Sequence, residues 1–227
     1  MKVVLVATTA SKLKSHDTGL WLHELAAPYY EFVDNNGGHE DIIIASPTGG
    51  PIPIDAASMG EGYFDDRCKR FMHDPVAFGK LSHSVKLSEV DWSTQDAIFL
   101  AGGHGTCVDF VGEESVKSSV ETMYTSDKVI AAVCHGVLAL TDCTLEDGTT
   151  PLIKGKKVTG FSNSEEEAVQ LTKVVPFLVE DKMKELGALY EKGDDWSDFV
   201  VIDGNLITGQ NPQSSDDAAR AVIKMLS

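Results

Sequence analysis

Basic residues are scarce and nowhere clustered: 19 Lys and Arg stand against 35 Asp and Glu, for a formal charge of −16 in 227 residues. Without a stripe of Lys and Arg there is nothing to track a phosphate backbone or settle on an anionic bilayer, so neither nucleic acid nor membrane is an expected partner. No apolar run approaches the length of a membrane span. The apolar start Val3-Val4-Leu5-Val6-Ala7 is short and turns polar by Ser11, which fits a first buried strand better than a signal peptide. Cysteine is sparse. Cys68, Cys107, Cys134 and Cys143 form no CxxC pair and no metal-ligand spacing. A chain this rich in core residues does not need disulfides, so the reducing cytosol is the expected compartment. Repeats and low-complexity tracts are absent too.

What is present suits one α/β domain over residues 1–227. Apolar runs at 2–7, 41–45, 97–101 and 128–133 read as buried parallel strands. A helical pattern opens at Thr18 and carries Trp21 and Leu25 on one face, interrupted by Pro28 and stopped by Asn35-Asn36-Gly37-Gly38. Further helices are expected over 113–124 and 216–226, the latter capped near Ser214 or Ser215. Strands at 156–161 and 199–202 follow, with 205–209 paired to the latter through Asp203-Gly204. This alternation predicts a doubly wound, mostly parallel sheet, whose chemistry gathers at the carboxyl ends of its strands. The pattern weakens between about 46 and 91, where Pro47, Gly49, Gly50, Pro51 and Pro53 suggest an irregular lid or cap insertion.

Three stretches fall at those carboxyl ends. Ala132-Val133-Cys134-His135-Gly136 joins a strand to a helix, the setting of a nucleophile elbow with cysteine in place of serine. The helix dipole would favour thiolate there; the plain alternative is a small buried residue. Gly102-Gly103-His104-Gly105 lacks phosphate-loop spacing, but its backbone N–H groups, with the one after Cys134, fit an oxyanion hole. His104 reads as structural or as catalytic. His135, as a base, needs an orienting carboxylate, and Glu165-Glu166-Glu167 is one source, although such a run is normally a solvated helix start. Glu24 is another candidate, not separable from Glu31 by spacing; beside a thiol its carboxyl would hold its proton.

Together these segments, with Val158-Thr159-Gly160-Phe161, Thr208-Gly209-Gln210-Asn211-Pro212, Ser46-Pro47-Thr48-Gly49-Gly50 and Lys86 to Asp91, resemble the PfpI superfamily over essentially the whole chain. More narrowly they resemble its glutathione-independent glyoxalase III and heat-shock-chaperone branch. The resemblance implies a flavodoxin-like core related to class I glutaminases. It implies conversion of methylglyoxal to D-lactate through a cysteine hemithioacetal, without glutathione, metal or other cofactor. Its nucleophile falls on Cys134, its triad histidine on His135, its thiol-adjacent glutamate on Glu24 and its triad acid on Glu166, with Glu165 and Glu167 left open by adjacency. Gly102, Gly103 and His104 then serve substrate and oxyanion binding. The expected partner is a small dicarbonyl, with a homodimer and misfolded client proteins as further expectations. Alternatives are a holdase chaperone or redox sensor in which Cys134 is oxidised, a cysteine peptidase or amidase, and a deglycase.

Overall fold

A computed structural model describes residues 1–227. The main sheet has seven strands: β1 (Val3–Val6), β2 (Ile42–Ser46), β3 (Val85–Lys86), β4 (Ala97–Leu100), β5 (Val129–Val133), β6 (Val200–Asp203) and β7 (Leu206–Gly209). Their order is β6-β7-β5-β4-β1-β2-β3, parallel throughout except for the β6–β7 hairpin, which turns at Gly204–Asn205. The central strands are continuously apolar because both faces are covered. Val4, Val6, Ile98, Leu100, Ile130 and Ala132 point into one core, while Val3, Leu5, Phe99, Ala131 and Val133 point into the other. The two cores hold 29 and 28 buried residues, so neither face is left to solvent. Each large aliphatic side chain buried this way contributes about 1.5–3 kcal/mol.

Besides the single turn Thr106–Asp109, the helices are α1 (His23–Asn36), α2 (Asp66–His73), α3 (Pro75–Ser82), α4 (Glu114–Thr125), α5 (Asn163–Ala168), α6 (Val179–Glu185) and α7 (Ser215–Leu226). A single helix runs through Pro28, which is buried, and ends where Gly37 turns left-handed at φ 72°. The start of α7 lies at Ser214 as expected, but that hydroxyl does not cap it; it bonds Asn211 and accepts from the Phe199 N–H.

Two stretches differ from the sequence reading. Between β2 and β4 the chain is irregular only over about 47–65 and regular beyond it: Asp65 caps α2, Asp74 caps α3, and Cys68, Phe71, Ala77 and Leu81 pack into the same core as α1. Phe71 meets Tyr29 edge-on at 5.3 Å between ring centres. Residues 156–161 give only Lys157–Val158, which pairs with Leu189–Tyr190 in a separate ribbon and never joins the main sheet.

At the carboxyl end of β5 the backbone turns close under β4. A Cβ on Gly136 would overlap the Leu100 carbonyl oxygen, an unyielding backbone atom. Gly136→Ala should therefore destabilise by about 3 kcal/mol or more. A lowered denaturation midpoint at unchanged slope is the expected reading; an unmoved midpoint would mean that the elbow shifts freely.

Candidate active site

Cys134 closes β5 with φ at +56°, left-handed for a side chain that rarely adopts it. Strain of this kind costs about 1–3 kcal/mol and gathers where a side chain must be aimed. The residues behind it, Cys134–Leu140, form 3-10 turns rather than an α-helix. Cys134 as a whole is only 4% exposed. Here burial works against the thiolate that a helix start would favour. Burial, followed by the charge and hydrogen bond of Glu24 when that carboxyl is ionised, pushes the Cys134 thiol above its ordinary value, against a backbone N–H from His135. Once Glu24 is protonated its charge no longer opposes ionisation of the sulfur.

His135 Nδ1 lies 3.4 Å from Cys134 Sγ, and its Nε2 lies 2.7 Å from Glu166 Oε2. Burial, then the neighbouring His104, drives the His135 pKa down to about 4, so the imidazole is neutral at physiological pH. Burial alone would raise Glu166, but hydrogen bonds from His104 and His135 outweigh it and hold that carboxyl down to about 2. An ionised Glu166 accepts from Nε2–H, which fixes the tautomer and leaves the Nδ1 lone pair facing the thiol. The orientation of the imidazole is thus set by one carboxylate.

Of the three glutamates, Glu166 alone reaches His135. Glu165 completes a capping box with Ser162 and accepts from the Trp196 N–H and Asn211 side chain. Glu167 turns outward to Thr172. The solvated-run reading fails for two of the three, because Glu165 and Glu166 are both buried. The second oxygen of Glu166 takes His104 Nε2 at 2.8 Å, and the two imidazole rings lie 4.0 Å apart. Sequence reasoning missed that sharing entirely. The donor atoms of His104, His135 and Glu166 all lie within 4.8 Å, a spacing a metal ion would accept. A cation there would have to break both Nε2–carboxylate bonds.

Glu24 arrives from the other side, in the first turn of α1, and is fully buried. Its Oε2 accepts the Gly102 N–H at 2.8 Å, its buried Oε1 has no hydrogen-bond partner, and the Cys134 thiol lies near enough to lower its pKa. Burial pushes its pKa up to about 8, against the thiol and Gly102 donors. The rival Glu31 lies away from the sulfur, paired with Arg67 and Arg220. Gly102 is needed for close approach: a Cβ there would fall 2.6 Å from Glu24 Oε2 and 2.9 Å from the His135 nitrogen. Because its N–H is held by Glu24, Gly102 is not an oxyanion donor, which corrects that expectation. The Gly103 N–H makes no hydrogen bond within the protein.

Over the sulfur lies a narrow cleft of about 40 Å³. Trp21 and Tyr63 form one wall, edge to face at 5.1 Å, and Phe161 and Trp196 the other at 5.8 Å. From residues 46–91 only Tyr63 reaches it. None of these aromatics stands out in the sequence, since scattered aromatics read as core.

The DJ-1/PfpI family pattern matches residues 23–225, which include Glu24, the elbow and both histidines. The chain belongs to the DJ-1/PfpI family. Its doubly wound sheet is the flavodoxin-like fold of that family. Glyoxalase 3 of Candida albicans is 30% identical over 98% of this chain and 97% of its own length. The crystal structure of glyoxalase III from the same yeast superposes with a TM-score of 0.89 at 29% identity, covering 99% of this chain and 96% of that one. The Rapid Encystment Protein 24 KDa of Francisella tularensis superposes at 0.93 with 41% identity over all of both chains. As in the sequence reading, no helix is long and apolar enough to cross a membrane.

Proposed function

We propose that this DJ-1/PfpI protein is a glutathione-independent glyoxalase that converts methylglyoxal and water to D-lactate. The observation that carries this reading is the thiol held between two proton carriers, the neutral imidazole of His135 at 3.4 Å and the protonated carboxyl of Glu24. Isomerising a ketoaldehyde needs both: one proton must leave C1 and one must arrive at C2. Names borne by similar proteins, Glyoxalase 3 of Candida albicans and the glutathione-independent glyoxalase HSP31 of Saccharomyces cerevisiae, support the same substrate class.

Cys134 gives its proton to His135 Nδ1 as the sulfur attacks the aldehyde carbon, and a hemithioacetal forms. The Gly103 N–H, which makes no hydrogen bond within the protein, is free to donate to the oxygen that gains charge. His135, having returned the thiol proton to the nascent oxyanion, takes the C1 proton while the Glu24 carboxyl protonates the C2 oxygen, the electron pair moves into an enediol, and reprotonation at C2 with loss of the C1 hydroxyl proton gives the lactoyl thioester. Water then cleaves the C–S bond, releasing lactate and restoring the thiol. The aromatic walls suit a three-carbon dicarbonyl better than a peptide, and this weighs against a peptidase or amidase. The four free cysteines suit a reducing cytosol. A homodimer, client proteins and a gating role for the segment 46–91 are further expectations for sizing, aggregation and kinetic assays.

Incubation with methylglyoxal in the absence of glutathione should yield D-lactate by chiral analysis. No lactate, or equal amounts of both enantiomers, rules this reading out.

A further inference from the structure

A second group of mixed donors sits where the start of α1 meets the start of α2, outside the chemistry described above. Donor atoms of His23, Asp65 and Cys68 lie within 4.8 Å of one another. His23 Nδ1 is 2.7 Å from Asp65 Oδ2, and its Nε2 is 3.5 Å from Asp216 Oδ2 on α7. Asp65 uses its other oxygen to cap α2 through the Cys68 N–H at 2.9 Å. The fully buried Cys68 thiol reaches the Tyr63 carbonyl only at 3.9 Å, a weak bond.

We propose that His23 Nδ1, Asp65 Oδ2 and the Cys68 sulfur bind a first-row divalent cation of the zinc type. A nitrogen, oxygen and sulfur set selects against calcium and magnesium, which take all-oxygen shells. On binding, the proton shared by His23 and Asp65 and the thiol proton both leave to solvent. The two negative ligands then balance the charge of the ion. Asp216 holds Nε2–H on the far side of the ring, the outer carboxylate that orients a metal-bound histidine. Zinc bond lengths put ligand atoms about 3.3–3.7 Å apart, so His23 and Asp65 open slightly while Cys68 closes in. His23 and Asp65 line a cleft of about 160 Å³ together with Trp21, Gly62, Tyr63 and Pro212, from which water would complete the tetrahedron. Trp21 and Tyr63 also wall the reaction cleft, so the ion would fasten that wall to α1.

The test is titration of metal-stripped protein with Co2+, followed by displacement with Zn2+. One equivalent should bring up a thiolate-to-cobalt charge-transfer band in wild type and equally in Cys134→Ser. The band should vanish in Cys68→Ser. His23→Gln, at a partly exposed position that leaves the buried thiol in place, should weaken Co2+ binding at least about tenfold, and Asp216→Asn about 10–100-fold. A band that survives Cys68→Ser, or is lost in Cys134→Ser, overturns the site. Cobalt absorption without a thiolate band overturns it as well, since the His104–His135–Glu166 set has no sulfur. If Cys68→Ser does not fold, unchanged affinity in His23→Gln is decisive against the proposal.

Discussion

Replacing Cys134 by alanine should cut D-lactate formation by at least about a thousandfold while leaving the fold intact. The magnitude follows from removing a covalent nucleophile, after which only binding and backbone donors remain. Stability should change little. Alanine keeps the strained left-handed backbone, removes a single buried atom, and leaves Glu166 with both its histidines. Serine is the more discriminating variant. A hydroxyl sits closer to its Cβ than a sulfur does, so the gap to His135 Nδ1 widens beyond the present 3.4 Å. A hydroxyl is also a far poorer nucleophile at neutral pH, so Cys134→Ser should be nearly as inactive. The chaperone reading separates here, because suppression of client aggregation by a holdase needs no thiol. Circular dichroism and lactate assays on the two variants are the check; lactate formation that persists in Cys134→Ala would remove the nucleophile from the mechanism.

The strands of the core are legible in sequence for a simple reason. A parallel strand covered on both faces must be apolar at every position, and Val3–Val6, Ala97–Leu100 and Val129–Val133 are. The elbow is legible because a cysteine between such a strand and Gly136 has few other reasons to be there. The short helices α2 and α3 are not: eight residues each, they owe their stability to Asp65 and Asp74 caps and to packing on α1, and neither effect leaves a long periodic trace. The glutamate run hides its function for a different reason. Consecutive residues on a helix point about 100° apart, so which of three carboxylates faces His135 depends on where α5 begins, and that is set by Ser162. Glu165 closes the cap, Glu166 is rotated onto the histidines, and Glu167 faces water. The pairing of His104 with the same carboxylate, 62 positions away, and the approach of His23 to Cys68 are products of the folded sheet alone.

Glu24→Gln should make the protein more stable and much less active, and the two effects share one cause. The amide that replaces the carboxyl can still accept the Gly102 N–H and can offer an N–H to the sulfur, so the shape of the site is kept. What goes is the exchangeable proton, at an expected cost of about 10²–10⁴ in turnover. The stability gain follows from linkage. Burial raises the folded pKa of Glu24 from 4.5 to about 8, so its contribution to stability is intact below pH 4.5 and drains away as the pH climbs through 8. A displacement of that size corresponds to about 5 kcal/mol between the two ends of the window. His135 runs the other way: its folded pKa of about 4 lies below 6.5, so its contribution is intact above pH 6.5 and is lost as the pH falls to 4. The two trends oppose each other from 4.5 to 6.5, and only that of Glu24 continues above. His23, which burial lowers but Asp216 and Asp65 together raise by more, also loses stability with rising pH. The diagnostic quantity is therefore the difference between variant and wild type, which cancels His23. That difference in thermal midpoint should be near zero at pH 4.5 and grow to about 10–20 °C in favour of Glu24→Gln at pH 8. A pH-independent difference, or a variant that melts below wild type at pH 8, means that the wild-type carboxyl is ionised beside the sulfur and cannot be the proton carrier.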